Sequence, residues 1–195
     1  MPIEAPDAAM TEARDLHSFH RPGALHDGTP ITIRTARADD RGRLVSAFSG
    51  LDRETIYTRF HGFRKEVSPV MLTHLEAGDF DRFVGLVATL GTGPDEIVIG
   101  AATYVVLDPT PDGRAADIAF VVEEDYQGQG VAGSLLATAI DVARERDIVR
   151  FEADVLAGNV AMLAVFRRCG LPLATSREGG AIHVALELTA GAAPR

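Results

Sequence analysis

The chain has 195 residues, a formal net charge of −9 and 46% hydrophobic residues, a balance that suits one domain around a single core. Its 18 Arg and one Lys form no basic cluster, so a nucleic-acid partner is not expected. No apolar run reaches the roughly 18 residues of a membrane span, and the start, with Glu4, Asp7, Glu12 and Asp15, lacks the apolar stretch of a secretory signal.

Residues 1–30 are polar and punctuated by Pro2, Pro6, Pro22, Gly23, Gly28 and Pro30. They read as a flexible lead-in, followed by one domain over 31–190. The alternating run ITIRT at 31–35 predicts a strand. Asp39 is the expected N-cap of a short helix through RGRLVSAFSG, and Asp52 caps a second helix over 52–63. The aromatics of that second helix, Tyr57, Phe60 and Phe63, have core spacing. Ser68-Pro69 opens a third helix, and Gly78 ends it.

Three strands follow at 82–90, 96–107 and 114–122, separated by turns rich in Gly, Pro and Asp. They predict an antiparallel meander. A helix over 131–146 with Val131, Leu135, Leu136, Ala139, Ile140 and Ala143 inward leads to a strand at 149–156. That strand–helix–strand crossover makes 114–122 and 149–156 parallel and right-handed. A short helix capped by Asn159 covers 159–168, and strands 171–176 and 181–188 close the chain around a Glu-Gly-Gly turn. The fold class is α/β: a mixed, mostly antiparallel sheet of about seven strands with helices on both faces.

The densest signal is AFVVEEDYQGQGVAGSLL at 119–136, where an apolar strand enters a glycine-rich loop and a helix starts at once. A helix start leaves several backbone N–H groups unpaired and carries partial positive charge. Glycines let a phosphate come close to that backbone. A Walker loop needs a lysine after its glycines, and the chain's one lysine is Lys65. Gly128, Gly130 and Gly133 fit the dinucleotide spacing G-x-G-x-x-G, but that fingerprint belongs after a first strand.

Gln127-Gly128-Gln129-Gly130-Val131-Ala132 after Val-Val-Glu-Glu-Asp-Tyr resembles the acyl-CoA loop, Q-x-x-G-x-A, of the GCN5-related N-acetyltransferases. Asn159, a short helix and Arg168-Cys169-Gly170-Leu171 are similar to that family's N-x-x-A-x-x-x-Y-x-x-x-G-F segment. The resemblance covers 117–171 and runs more weakly back to Ile31. It implies acetyl-CoA as cosubstrate, with the pyrophosphate at Gln127, Gly128, Gln129, Gly130, Val131, Ala132, Gly133 and Ser134. It also implies that two parallel central strands splay apart and that the coenzyme inserts between them.

Acetyl transfer from a thioester to an amine needs a base for the amine, donors for the thioester oxygen and an exit for the thiolate. Ala116-Asp117-Ile118-Ala119-Phe120-Val121-Val122 is similar to A-E-[IV]-A-F-x-V of the bacterial protein lysine acetyltransferases that act on acyl-CoA synthetases. By that likeness Asp117 stands at the general-base glutamate, one methylene shorter, so that a water relay is an open alternative to direct abstraction. Glu123, Glu124 and Asp125 are rival acids. The family's oxyanion donor falls on the backbone N–H of Val121 or Val122. Asn159 either bonds the pantetheine amides or is only an N-cap. Phe166 stands where many members carry a tyrosine that protonates the thiolate, and Cys169 reads as a core contact.

The acceptor is implied more softly. Tyr57, Arg59-Phe60 and Phe63 resemble S-x-x-S-x-Y-x-R-F of the protein-acetylating branch, as do Leu75, Asp79 and Ile99-Gly100-Ala101. That points to a protein lysine, as on an acyl-CoA synthetase. The alternatives are a small amine (a polyamine, amino acid or aminoglycoside) or a non-catalytic acyl-CoA sensor. The resemblance also suggests a free-standing catalytic domain without a cyclic-nucleotide switch. The six histidines have no metal-like spacing, His17-x-x-His20 being the nearest pair, and no metal is expected. The single Cys169 fits a reducing cytoplasm.

Overall fold

The computed structural model describes residues 15–44 and 80–189. Eight strands form one sheet in the order β1-β2-β3-β4-β5-β6-β8-β7. They are β1 (His20–Ala24), β2 (Pro30–Thr35), β3 (Phe83–Leu90), β4 (Ile97–Val106), β5 (Arg114–Val122), β6 (Ile148–Leu156), β7 (Leu173–Glu178) and β8 (Ala181–Glu187). Helices α1 (Val131–Arg144) and α2 (Val160–Arg168) lie on one face. A helical turn at 41–44 lies on the other. The expected helices over 52–63 and from Ser68 to Gly78 lie outside the described residues, as do His61 and the continuation of the first helix beyond Leu44.

The meander β3–β4–β5 is antiparallel and the β5–β6 crossover parallel, as the crossover spacing predicted. The sheet has eight strands rather than about seven because β1 joins it. Residues 15–30 are therefore not the flexible lead-in that their composition suggested. Leu16 and Leu25 are buried in the main core, and β1 pairs with β2 from His20↔Arg34 to Ala24↔Pro30. The run His-Arg-Pro-Gly-Ala has little strand propensity. Pro22 is tolerated because β1 is an edge strand, where a missing N–H breaks no ladder bond.

The main core fills the space between sheet and helices. Every residue expected to face inward on α1 is buried, and Val142 joins them. Each large apolar side chain buried this way contributes about 1.5–3 kcal/mol. Arg21 on β1 reaches over to α1, donating to Asp141 Oδ2 at 2.8 Å and to Thr138 Oγ1 at 3.5 Å.

The opposite face carries a smaller apolar cluster of Ala36, Leu44, Val87, Val98, Ala101 and Val121. A buried ion network stands beside it. Arg34 donates to Asp40 Oδ2 and Oδ1 at 2.6 and 2.7 Å, and to Glu96 Oε1 and Oε2 at 3.0 and 2.8 Å. Asp40 also accepts the Arg37 N–H at 2.8 Å. Asp40, not Asp39, thus caps the turn entering 41–44; Asp39 is exposed and, among the described residues, makes only a long contact of 3.8 Å with Arg43.

Candidate active site

Two features meet at one end of the sheet, a gap between β5 and β6 and the loop into α1. The strands pair at Arg114↔Ile148, Ala115↔Arg150, Ala116↔Phe151 and Asp117↔Glu152, and no further. Beyond Asp117 they part. On its other side β5 stays paired with β4 as far as Gly100↔Val122.

This arrangement decides which amides face the gap. Glu123 N–H donates to Ile99 C=O at 3.0 Å. Backbone groups alternate sides along an antiparallel ladder, so Val121 turns its N–H toward β4, while Phe120 and Val122 turn theirs toward the gap. Of the two valines expected as oxyanion donors, Val122 has the suitable direction and Val121 is engaged in the ladder. The Val122 carbonyl, on the same side, accepts from Gln127 Nε2 at 3.3 Å, so the first residue of the loop motif braces the gap's edge.

The loop folds through a 3-10 turn at Glu124–Tyr126, capped by the Glu123 carboxylate, which accepts the Asp125 N–H at 3.0 Å. Glu123 is thereby a capping acid. Gly128 and Gly130 have φ of +74° and +90°, left-handed values that a side chain would strain. Gly130 is the N-cap of α1. The first helical bond runs from Ser134 N–H to Gly130 C=O at 3.0 Å. The amides of Gly130, Val131, Ala132 and Gly133 precede it and have no helical acceptor, so they form the cradle; the Ser134 amide is spent inside the helix. Such a helix start suits a diphosphate.

Gly100 on β4 lets α1 sit close to the sheet. A Cβ there would stand 2.7 Å from Val131 Cγ1 and 3.2 Å from the Val121 carbonyl oxygen. A β-bulge adjoins it. Ala88 pairs with Gly100 and Thr89 with Val98, leaving Ile99 as the extra residue whose carbonyl receives the Glu123 N–H. The likeness of Ile99-Gly100-Ala101 is to the acceptor-side pattern; here the segment positions the glycine-rich loop and the start of α1.

Asp117 stands at the last paired residue before the gap, on the sheet face opposite α1. Its side chain reaches water, but protein crowds it on its other sides. Partial burial, reinforced by the charges of Asp154 and Glu152 and opposed by His183, holds its carboxyl above the ordinary aspartate range. The same face carries a dyad that the sequence did not announce, with His183 Nδ1 3.0 Å from Asp154 Oδ1. The register signal was there, since Asp154 lies two residues beyond Glu152 on an alternating strand.

Asn159 caps α2, its Oδ1 accepting the Met162 N–H at 3.0 Å. Its amide NH2 has no partner among the described residues, so capping and binding are compatible. Phe166 is buried at 1% exposure, its ring in a T-shaped pair with Phe120 at a centroid separation of 6.0 Å. It offers almost no surface and no proton. Cys169 donates from Sγ to the Phe166 carbonyl at 3.0 Å, in keeping with a core contact. Among the described residues no group of three or more His, Cys, Asp or Glu could hold a metal ion, and no helix is long and apolar enough to cross a membrane.

Comparison with known proteins agrees with this geometry. Residues 53–171 match the model of the Acetyltransferase (GNAT) family. The chain is 30% identical over 149 residues to the acetyltransferase Pat of Mycolicibacterium smegmatis, a match covering 76% of this chain and 43% of that protein. It thus spans less than half the length of that relative. It is also 30% identical over 139 residues to the acetyltransferase PA5475 of Pseudomonas aeruginosa, covering 71% of this chain and 73% of that one. The crystal structure of the GNAT domain of S. lividans PAT superposes with a TM-score of 0.75 at 32% identity, covering 86% of this chain and 96% of that domain. The chain belongs to the GNAT family of acetyl-CoA-dependent N-acetyltransferases.

Proposed function

We propose that the protein transfers an acetyl group from acetyl-CoA to the ε-amine of a protein lysine, with Asp117 as general base. The observation that carries this reading is the position of Asp117, a carboxylate with a raised pKa at the point where β5 and β6 part, below the amide cradle of α1. The diphosphate seats on Gly130–Gly133. The pantetheine arm enters the gap between β5 and β6, and its thioester lies beside the Val122 N–H, on the side toward Asp117.

The lysine arrives as an ammonium and gives one proton to Asp117, directly or through one water, since aspartate is short. The free amine attacks the thioester carbon. Negative charge gathers on the carbonyl oxygen, where the Val122 N–H is a donor of the right direction. The C–S bond breaks, the nitrogen sheds its second proton, and the thiolate takes a proton from water because Phe166 has none to give. No covalent enzyme intermediate is needed.

The lysine assignment draws support from the relatives named Pat and from the acidic face of Asp117, Glu152 and Asp154, which favours a cation. A lysine on an acyl-CoA synthetase is the first acceptor to test. A cytoplasmic setting suits the single cysteine.

The test is intact-mass measurement of an acyl-CoA synthetase, beside a panel of polyamines, amino acids and aminoglycosides, each with acetyl-CoA. Acetylation of the synthetase by the wild type, lost at least 100-fold in Asp117→Asn, is the expected outcome, since general-base catalysis contributes about 10²–10⁴-fold. Transfer to small amines alone would refute the lysine assignment. Binding of acetyl-CoA without turnover on any amine would make the protein a sensor.

A further inference from the structure

The turn between β1 and β2 reaches the cosubstrate loop. Leu25 N–H donates to Thr29 C=O at 2.9 Å and Gly28 N–H to Leu25 C=O at 3.0 Å, so the turn is tight. Its tip docks on the loop through the His26 N–H, which donates to the Gln129 carbonyl at 3.1 Å. The imidazole then lies beside Gly130. A Cβ built on that glycine would stand 2.8 Å from His26 Nε2 and 3.0 Å from Cδ2. Gly130 opens the row of unpaired amides, so an exposed imidazole borders the cradle.

The arrangement is held from several sides. The backbone bond to Gln129 fixes the root of the side chain. Arg21, on the strand leading into the turn, is paired with Asp141 on α1, so turn and helix are tied together. The adjoining acid in the chain, Asp27, turns its carboxylate back onto the Thr29 N–H at 2.9 Å. No ring nitrogen of His26 has a hydrogen-bond partner among the described residues. A donor with an anchored root and no partner stands where a dianionic group is to be seated. The turn also lies outside residues 53–171, so the family match does not supply this contact.

We propose that His26 is a further cosubstrate-binding residue, its imidazole donating a hydrogen bond to the diphosphate of acetyl-CoA seated on Gly130–Gly133. The proposal rests on the assignment of that loop to acetyl-CoA. It makes the amino-terminal hairpin part of the binding site.

Calorimetric titration of the full chain with acetyl-CoA and with S-acetylpantetheine, which lacks the diphosphate, tests it. His26→Ala leaves the main-chain bond to Gln129 intact. A lost hydrogen bond to a charged group predicts about tenfold weaker acetyl-CoA binding. S-acetylpantetheine should bind the variant as it binds the wild type, and His26→Gln, which keeps an N–H donor, should recover most of the acetyl-CoA affinity. Unchanged acetyl-CoA affinity in His26→Ala would overturn the proposal. Equal weakening of both ligands would too, since it would mean a general disturbance of the hairpin. A wild type that binds no acetyl-CoA would overturn the loop assignment itself, and the proposal with it.

Discussion

Asp117, the base we propose, shares its sheet face with two other acids, and its usefulness in that role would depend on them. A base must be ionised to act, so turnover should rise with pH through the Asp117 pKa. Burial, then Asp154 and Glu152, push that pKa upward. Removing the Asp154 charge should therefore move the acidic limb of the kcat/KM–pH profile of Asp154→Asn to lower pH. An unmoved limb would mean that another group sets it. The places of Asp117, the loop glycines and Asn159 were legible in the sequence because each follows local pattern: a strand, a helix start, a cap. His26 and the Asp154–His183 pair were not, because their partners lie far along the chain and meet only through sheet register and hairpin docking.

At the level of elements, the placement of α1 rests on a glycine in a different strand. In Gly100→Ala the new methyl group would press on Val131, the first residue of α1, a β-branched side chain with little room to turn away, and on the Val121 carbonyl behind it. Overpacking of this kind costs about 1–3 kcal/mol. It should also displace the amide cradle, so urea unfolding should show the stability loss and titration a weaker hold on acetyl-CoA. Full stability with full affinity would show that the helix is not seated through Gly100. The strands from β2 onward and both helices were readable because their periodicity is strong and their boundaries carry turn residues. β1 was not, because an edge strand may contain Pro and Gly and takes its order from its neighbour rather than from its own propensity. The Arg34 network was equally hidden, since Glu96 comes from a turn 62 residues away.

For the molecule as a whole, that network links the sheet to the segment that opens its second face. Arg34 is 3% exposed and Asp40 0%. Removing the cation would leave a buried carboxylate uncompensated, so Arg34→Ala should lose about 3–5 kcal/mol in chemical denaturation at neutral pH. For Asp40, burial raises the pKa, but Arg34 and the Arg37 N–H outweigh it; for Glu96 the bonds from Arg34 dominate, and both carboxyls fall below their ordinary range. The stability they contribute is complete above the unfolded-state pKa of about 4 and is lost as pH falls through the lower folded values. Wild-type stability should therefore drop on the acid side, with a shallower drop in Arg34→Ala. An equal acid dependence in the two proteins would exclude the network as its source.

The parting of β5 and β6 has a mechanical side. Four residue pairs at one end hold two leaves of the sheet together, β1 to β5 on one side and β6 to β8 on the other, with α1 bridging them from above. Such a body is divided like a half-open book whose spine is Arg114–Asp117. A ligand wedged between the pages does more than occupy a site, because its own amides stitch the free margins together. On the function we propose, the empty protein should be the looser one, and the cosubstrate, while bound, part of the binding of the book.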